Sequence, residues 1–267
     1  MEPLRFGMVV PSSNVTMERE VPAMLHRRSE VEPERFSFHS SRVRMKSVTP
    51  EELAAMNAQA SRATAELADA SVDIVAYACL VAVMAEGRGA HREAEANITS
   101  LLRAEGCEAP VVTSAGALID TLEHIGAKRI AVIAPYAPAL TERVCDYISF
   151  EGFDIEEVRS LSVTDNTAVG RLDPSGLLPI ALELPRDVDA VVLSACVQMP
   201  SLPFIETVEA QVGLPVLSAA TATVFQSLRR LGLPTRVPGA GRLLSGAFEQ
   251  PVGGGAGNAA AGGNGHA

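Results

Sequence analysis

Positive charge is scarce in this 267-residue chain, where 22 lysines and arginines stand against 32 aspartates and glutamates, a net charge of −10. Its longest basic pieces are His26-Arg27-Arg28 and Arg42-Val-Arg-Met-Lys46, which argues against a nucleic-acid partner. Long apolar runs are lacking too. Leu4–Pro11 and Val72–Ala85 are broken or too short to span a bilayer, so no membrane association is expected. The segment beginning Met1-Glu-Pro-Leu-Arg has no basic stretch ahead of its apolar one and no small-residue cleavage site. It does not read as a secretion signal, and a cytoplasmic location is expected. The four cysteines show no Cys-x-x-Cys spacing, which argues against a disulfide scaffold or a zinc site. Five scattered histidines make neither a triad nor a metal-ligand spacing. There is no Walker A motif, no Gly-x-Gly-x-x-Gly after a strand, no His-Glu-x-x-His and no Gly-x-Ser-x-Gly, so nucleotide, metalloprotease and α/β-hydrolase chemistry lack support. Neither a metal nor another cofactor is expected.

What the chain does have is apolar patterning. Hydrophobic residues make up 47% and the mean hydropathy is +0.18, too apolar for a disordered protein. Strand-like runs fall at 4–10, 35–39, 72–78, 110–113, 128–134, 154–162, 188–194 and 214–217, with helical patterns between them. Thr49-Pro50-Glu51-Glu52 reads as a capping box opening a helix. Asp173-Pro174 opens another, with the aspartate as cap. Pro22 is expected to break or kink a helix over Val15–Ser29. Regular alternation of strand and helix predicts an α/β protein with parallel sheets covered on both faces. The stretch from Gly253, rich in glycine and alanine and without charge, reads as a disordered tail.

The chain also repeats itself. Arg5-Phe-Gly-Met-Val-Val-Pro11 matches Arg129-Ile-Ala-Val-Ile-Ala-Pro135. Val72-Asp-Ile-Val-Ala-Tyr-Ala-Cys79 matches Val188-Asp-Ala-Val-Val-Leu-Ser-Ala-Cys196, with one extra residue before the second cysteine. Pro110-Val-Val-Thr matches Pro215-Val-Leu-Ser, and Gly126 matches Gly232. Landmarks in the same order imply two copies of one unit. The expected architecture is two pseudo-symmetric, Rossmann-like α/β domains with parallel sheets and an active site in the cleft between them. The first half takes residues 1–114 with 219–250, the second takes 115–218, and 251–267 form the tail.

Ligands of open parallel sheets bind beyond the carboxyl ends of the strands. There the first copy places Ser12, Ser13 and Asn14, and its counterpart places Tyr136; the later strands end on Cys79 and Cys196. One cysteine in an apolar segment is usually packing. Packing does not require cysteine twice at equivalent places, so the pair is assigned to chemistry. A position near a helix N-terminus should favour its thiolate. Cys107 and Cys145 have no such counterparts and are assigned to structure, as are Tyr77 and Tyr147. Asn14 reads equally as a ligand-binding residue and as a helix cap. Asn166, in Val-Thr-Asp-Asn-Thr, reads first as turn chemistry. Ser12, Ser13 and Ser194 are donors for an anion or for local backbone.

Taken together, Pro11-Ser-Ser-Asn-Val-Thr-Met-Glu18, the segment Ala76–Gly87, Ala134-Pro-Tyr-Ala-Pro-Ala-Leu140, Thr164-Asp-Asn166 and Leu193-Ser-Ala-Cys-Val-Gln-Met-Pro200 resemble the maleate cis-trans isomerases of the aspartate/glutamate racemase superfamily, over roughly residues 4–250. That resemblance implies cofactor-independent conversion of maleate to fumarate through a succinyl-cysteine-type adduct. It makes Cys79 the nucleophile, with Cys196 assisting from the other face, and Tyr136 an active-site hydroxyl. Asn14 and Asn166 become the carboxylate-binding residues, and a homodimer is implied. Ser12, Ser13 and strand-end N–H groups are expected to add donors to the small dicarboxylate. A two-cysteine amino-acid or hydantoin racemase and an arylmalonate-type decarboxylase remain alternatives on the same scaffold. The racemase needs a carboxylate for the substrate ammonium, which Pro-Ser-Ser-Asn lacks, although Glu18 lies one turn on. The decarboxylase needs only one cleft cysteine.

Overall fold

The computed structural model describes residues 2–47 and 49–249, so the expected tail lies outside the described residues. All eight expected runs are strands, in two sheets. The first holds β1 (Leu4–Pro11), β2 (Phe36–Val43), β3 (Ile74–Tyr77) and β4 (Val111–Thr113) in the order β2-β1-β3-β4. The second holds β5 (Arg129–Ala134), β6 (Asp154–Ser160), β7 (Ala190–Ser194) and β8 (Val216–Ser218) in the order β6-β5-β7-β8. Every pairing is parallel. Helices α1 (Met17–Arg28), α2 (Pro50–Ala58), α3 (Ala60–Asp69), α4 (Leu80–Met84), α5 (Ala90–Ala104) and α6 (Ser114–His124) belong to the first stretch of chain. Helices α7 (Pro138–Phe150), α8 (Asn166–Val169), α9 (Leu177–Leu182), α10 (Ile205–Val212) and α11 (Ala219–Arg230) follow. β3 and β7 are buried along their whole length and β5 along nearly all of it, which is why they read as continuous apolar runs rather than alternating ones.

Repeated residues do repeated work. Asp73 accepts a hydrogen bond from Arg5 N (2.6 Å) at the start of β1, and Asp189 accepts from Arg129 N (2.8 Å) at the start of β5. Thr113 caps α6 through Gly116 N, and Ser218 caps α11 through Thr221 N. Gly126 and Gly232 leave these two helices with φ of +74° and +68°, where a side chain is strained. The extra residue of the second copy appears as a register shift between Val192 and Ser194 against β8, with Leu193 the added residue.

Three local expectations are revised. α1 continues through Pro22, since loss of one N–H does not outweigh the burial of Met17, Val21, Met24 and Leu25. Thr49 receives Glu52 N at 3.4 Å, yet the Glu52 carboxylate turns to the backbone N–H groups of Lys46 and Ser47 instead of closing a capping box. Asp173 caps through Ser175 N (2.9 Å), but the first turn it opens is a 3₁₀ turn, Pro174–Gly176, leading into α9.

α11 is buried from Ala219 through Leu228. It packs along α6 and also meets α1, β3 and β4. Two of its polar residues meet α6: Thr223 Oγ1 and Ser114 Oγ are 2.9 Å apart, and Gln226 Nε2 donates to Thr121 Oγ1 (3.1 Å). Thr223→Val should therefore destabilise the protein by about 1–3 kcal/mol, because a buried Ser114 hydroxyl loses its partner. Adding Ser114→Ala should recover part of the loss. Urea unfolding of the single and double variants checks both statements.

Candidate active site

In each sheet the chain reverses its winding between the first and third strands, β1/β3 and β5/β7, and such a switch point opens a crevice at the carboxyl ends. Asn14 follows β1, Cys79 follows β3, Tyr136 follows β5 and Cys196 follows β7. All four line one cavity together with Pro11, Met45, Leu80, Val81, Asn166, Val197 and Gln198. Sequence-expected residues from both halves are thus brought together. The cavity is tight, about 10 Å³, which is the room of roughly one water. Two larger grooves, about 610 and 670 Å³, open elsewhere on the surface, and neither is lined by a thiol.

The two thiols are buried but differently dressed. Cys79 stands at the N-cap of the five-residue α4 without a side-chain cap hydrogen bond, and the nearby Ala82 N–H draws its pKa down. Burial nevertheless pushes its pKa up to about 12, with a further upward push from Cys196. Cys196 is raised as well, by burial, but three donors oppose the rise: the Tyr136 hydroxyl and the N–H groups of Gln198 and Met199. The expected thiolate-favouring dipole is outweighed by desolvation at Cys79 and is missing at Cys196, where no helix begins, so burial keeps both cysteines as neutral thiols at neutral pH. Tyr136, fully buried, is itself held well above its ordinary value, chiefly by burial, and its hydroxyl also reaches Ala195 O (3.3 Å).

Asn14 does the capping job and keeps its amide nitrogen at the cavity. Its Oδ1 accepts from Thr16 N and Met17 N (3.0 Å each), capping α1, while Nδ2 reaches Val197 O at 3.4 Å. Asn166 starts α8 and donates from Nδ2 to Ser13 Oγ (2.7 Å). Each amide nitrogen carries a second hydrogen available to a ligand. Ser12 and Ser13 are not among the lining residues. Ser12 Oγ donates to Met45 O (3.2 Å) and accepts from Met45 N (3.1 Å), and Ser13 Oγ donates to Met45 O (2.6 Å). Both hydroxyls position Met45 instead of facing the cavity. Ser194 serves local backbone, donating to Cys196 O (2.7 Å). Cys107 and Cys145 lie outside the cavity, as assigned.

Sequence reasoning passes over Gln198 and Glu20. A glutamine two residues after a thiol carries no spacing signature, yet Gln198 is 2% exposed and its amide is hydrogen-bonded throughout. Glu20, on α1, accepts from Ser201 N (2.9 Å) and Leu202 N (3.0 Å), and burial raises its pKa. Thr16 Oγ1 donates to Gln198 O (2.7 Å). Residues 196–202 are thus fastened to the start of α1 across the cleft.

Known proteins share the sequence and the fold. The profile of the arylmalonate decarboxylase family (Amdase) covers residues 6–244. The maleate isomerase of Alcaligenes faecalis is 53% identical over 252 residues, 94% of this chain and 100% of that one. The maleate isomerase Iso of Pseudomonas putida S16, solved as a cysteine-to-alanine variant with maleate, superposes with a TM-score of 0.91 at 52% identity, covering 92% of this chain and 99% of that one. A cysteine-to-serine variant of the Nocardia farcinica maleate cis-trans isomerase, solved with a covalently bound succinylcysteine intermediate, gives 0.88 at 49% identity, covering 91% and 99%.

The raised Cys79 thiol has a consequence for stability. Between a thiol's ordinary 9 and about 12, the unfolded chain has lost a proton that the native state keeps. Rising pH then favours unfolding. Urea midpoints measured from pH 7.5 to 10.5 should fall more steeply for the wild type than for Cys79→Ala, by up to about 1.4 kcal/mol per pH unit above 9. Parallel curves would contradict the assignment.

Proposed function

The chain belongs to the arylmalonate decarboxylase (Amdase) family, and from that premise we propose that it is a maleate isomerase, converting maleate to fumarate without a cofactor through a cysteine adduct. The observation that carries this reading is two buried thiols, one from each half of the chain, lining a single cavity with two asparagine amides. Relatives above 50% identity over more than nine-tenths of the chain are maleate isomerases. A relative with one cysteine replaced still carries succinylcysteine, so one thiol is enough to form the adduct there.

The reaction must suspend a double bond, because rotation about C=C is prohibitively slow. Cys79 is assigned as the nucleophile. Its sulfur bonds to one alkene carbon while the π pair moves toward the other carbon and the adjoining carboxylate. Cys196 delivers its proton to that second carbon, and the thiolate it leaves behind is held by Tyr136, Gln198 N–H and Met199 N–H. Cys196 then takes up the proton that Cys79 gave up. The net step adds S–H across the double bond and leaves a succinyl group on Cys79, whose central C–C bond is single and rotates. Reversal from the rotated form breaks the C–S bond, passes the Cys196 proton back to Cys79, returns the carbon-bound proton to Cys196 and releases fumarate. Neutral resting thiols suit a dianionic substrate, because no standing thiolate repels it. Asn14 and Asn166 are assigned to the two carboxylates, and their greatest effect falls on the aci-carboxylate formed during addition.

The remaining assignments belong to the same reading. Residues 1–114 with 219–250 form one half and 115–218 the other, a division supported by the packing of α11 on α1, β3 and β4. Among the described residues no helix is long and apolar enough to cross a membrane, and we assign a homodimer in the cytoplasm, the former to be checked by sedimentation equilibrium.

Proton NMR resolves the vinyl signals of maleate and fumarate. Purified, reduced protein should convert one to the other, and Cys79→Ala should abolish conversion while keeping its circular dichroism. Comparable turnover in that variant would remove Cys79 as nucleophile. Cys196→Ser should be impaired; full activity would reduce Cys196 to packing. Asn166→Ala should lower kcat about 10²–10³-fold, the loss of a donor worth about 2.7–4 kcal/mol in the transition state.

A further inference from the structure

One side chain spans both carboxylate-binding segments. The Gln198 amide accepts from Val15 N (2.9 Å) and donates from Nε2 to Ser13 O (2.9 Å) and to Asn166 O (2.8 Å). It brackets Asn14 on both sides, much as a neighbouring strand brackets a residue, and with its second hydrogen holds the backbone of Asn166. Two carbonyls and one N–H leave a single orientation for the amide. We propose that Gln198 is a positioning residue that fixes the separation of Asn14 and Asn166, and with it the spacing at which the two carboxylates of the substrate are held.

The proposal rests on the isomerase reading, in which these asparagines bind the dicarboxylate. The two carboxylates of a cis alkene lie close together and those of the trans alkene lie far apart. A site that anchors one while the other swings needs its two anchors at a set distance. The two segments also meet where Asn166 Nδ2 donates to the Ser13 hydroxyl (2.7 Å), a bond to a side chain that can rotate. The planar Gln198 amide is hydrogen-bonded to both backbones, and burial denies water the chance to replace it. The Cys196 loop itself stays fastened without this amide, through Thr16 Oγ1 to Gln198 O and Glu20 to Ser201 N and Leu202 N. Loss of the amide is therefore expected to act on substrate binding more than on the thiols.

Gly170 supplies an independent handle. It lies in helical backbone at φ −67°, which any residue adopts. A Cβ there would stand 2.6 Å from Gln198 Nε2 and 2.9 Å from Val15 Cγ2. Alanine at this position presses the amide out of place without deleting it.

The test compares wild type, Gln198→Met, Gln198→Glu and Gly170→Ala for KM and kcat with maleate, for melting temperature, and, each in a Cys79→Ala background, for maleate Kd by calorimetry. Gln198→Met and Gly170→Ala should raise KM and Kd about tenfold or more and also lower kcat, in the direction of Asn166→Ala but by less, because the asparagines are displaced and not removed. In Gln198→Glu a carboxylate would face two carbonyls, and only its protonated form donates. Its KM should fall as the pH is lowered from about 8 to 6, a trend absent in the wild type. A lower melting temperature with unchanged KM and Kd would make Gln198 merely structural and overturn the proposal, as would wild-type behaviour of both Gln198→Met and Gly170→Ala. If the wild type binds maleate without isomerising it, the isomerase reading fails and the Kd series still decides the role of Gln198. If it does not bind maleate at all, both fail.

Discussion

The structure depends on one stretch of backbone, residues 196–202, reaching from the second half of the chain into the first. It carries a thiol, wraps that thiol with its own N–H groups, and is received by the start of α1 through Asn14, Thr16 and Glu20. Each such neutral bond contributes only about 1 kcal/mol net. The cost of leaving any one of them unmade in a buried cleft is larger, and this asymmetry fixes where the loop can lie. What lines the cavity from the first half is then placed against it, Cys79 through the β3 terminus and Met45 through the serines of the loop after β1, while Asn166 of the second half is tied to it through Gln198 and to the first half through Ser13.

Strands and repeat were legible because their signals are local. Apolar runs mark β1 to β8, and paired landmarks such as Asp73 with Asp189 show the duplication before any contact is known. Cys79, Cys196, Tyr136 and Asn14 were legible as residues at strand ends, where parallel sheets gather ligands, whereas Asn166 reads as turn chemistry and was singled out only by the family resemblance. What stayed hidden is what tertiary placement decides. Ser12 and Ser13 sit in the right loop, but their hydroxyls turn to the Met45 backbone, and no sequence rule gives that direction. Glu52 has the spacing of a capping box and is diverted by two nearer N–H groups. The thiol environment is the sharpest case. Sequence position suggests a dipole that favours the thiolate, whereas complete burial, a property of the whole fold, drives both cysteines the other way. Gln198 was invisible because its importance lies in three backbone groups, two of them more than 180 residues away.

Charge gives a related lesson about scale. A chain of net charge −10 offers a dianion no general attraction. In the proposed reaction close donors in a buried cavity take over that task, since an amide N–H at short range counts for more than distant charge. Two neutral thiols, two side-chain amides and a tyrosine hydroxyl make an environment polar enough to receive carboxylates and free of fixed anions that would expel them.

The added residue at Leu193 closes with a question of symmetry. Duplication builds a frame with an approximate twofold relation, and the substrate of the proposed reaction is itself symmetric, its two alkene carbons equivalent. A perfectly paired site would treat those carbons alike, yet addition requires that one receive sulfur and the other hydrogen. Ahead of Cys79 the strand runs in register and the chain passes directly into a helix, whose Ala82 N–H is the one donor that draws that thiol down; ahead of Cys196 the register slips by one, and two backbone N–H groups and the Tyr136 hydroxyl face the sulfur. One inserted residue marks where two equal halves became unequal partners, and a mirror-symmetric molecule acquired a left and a right.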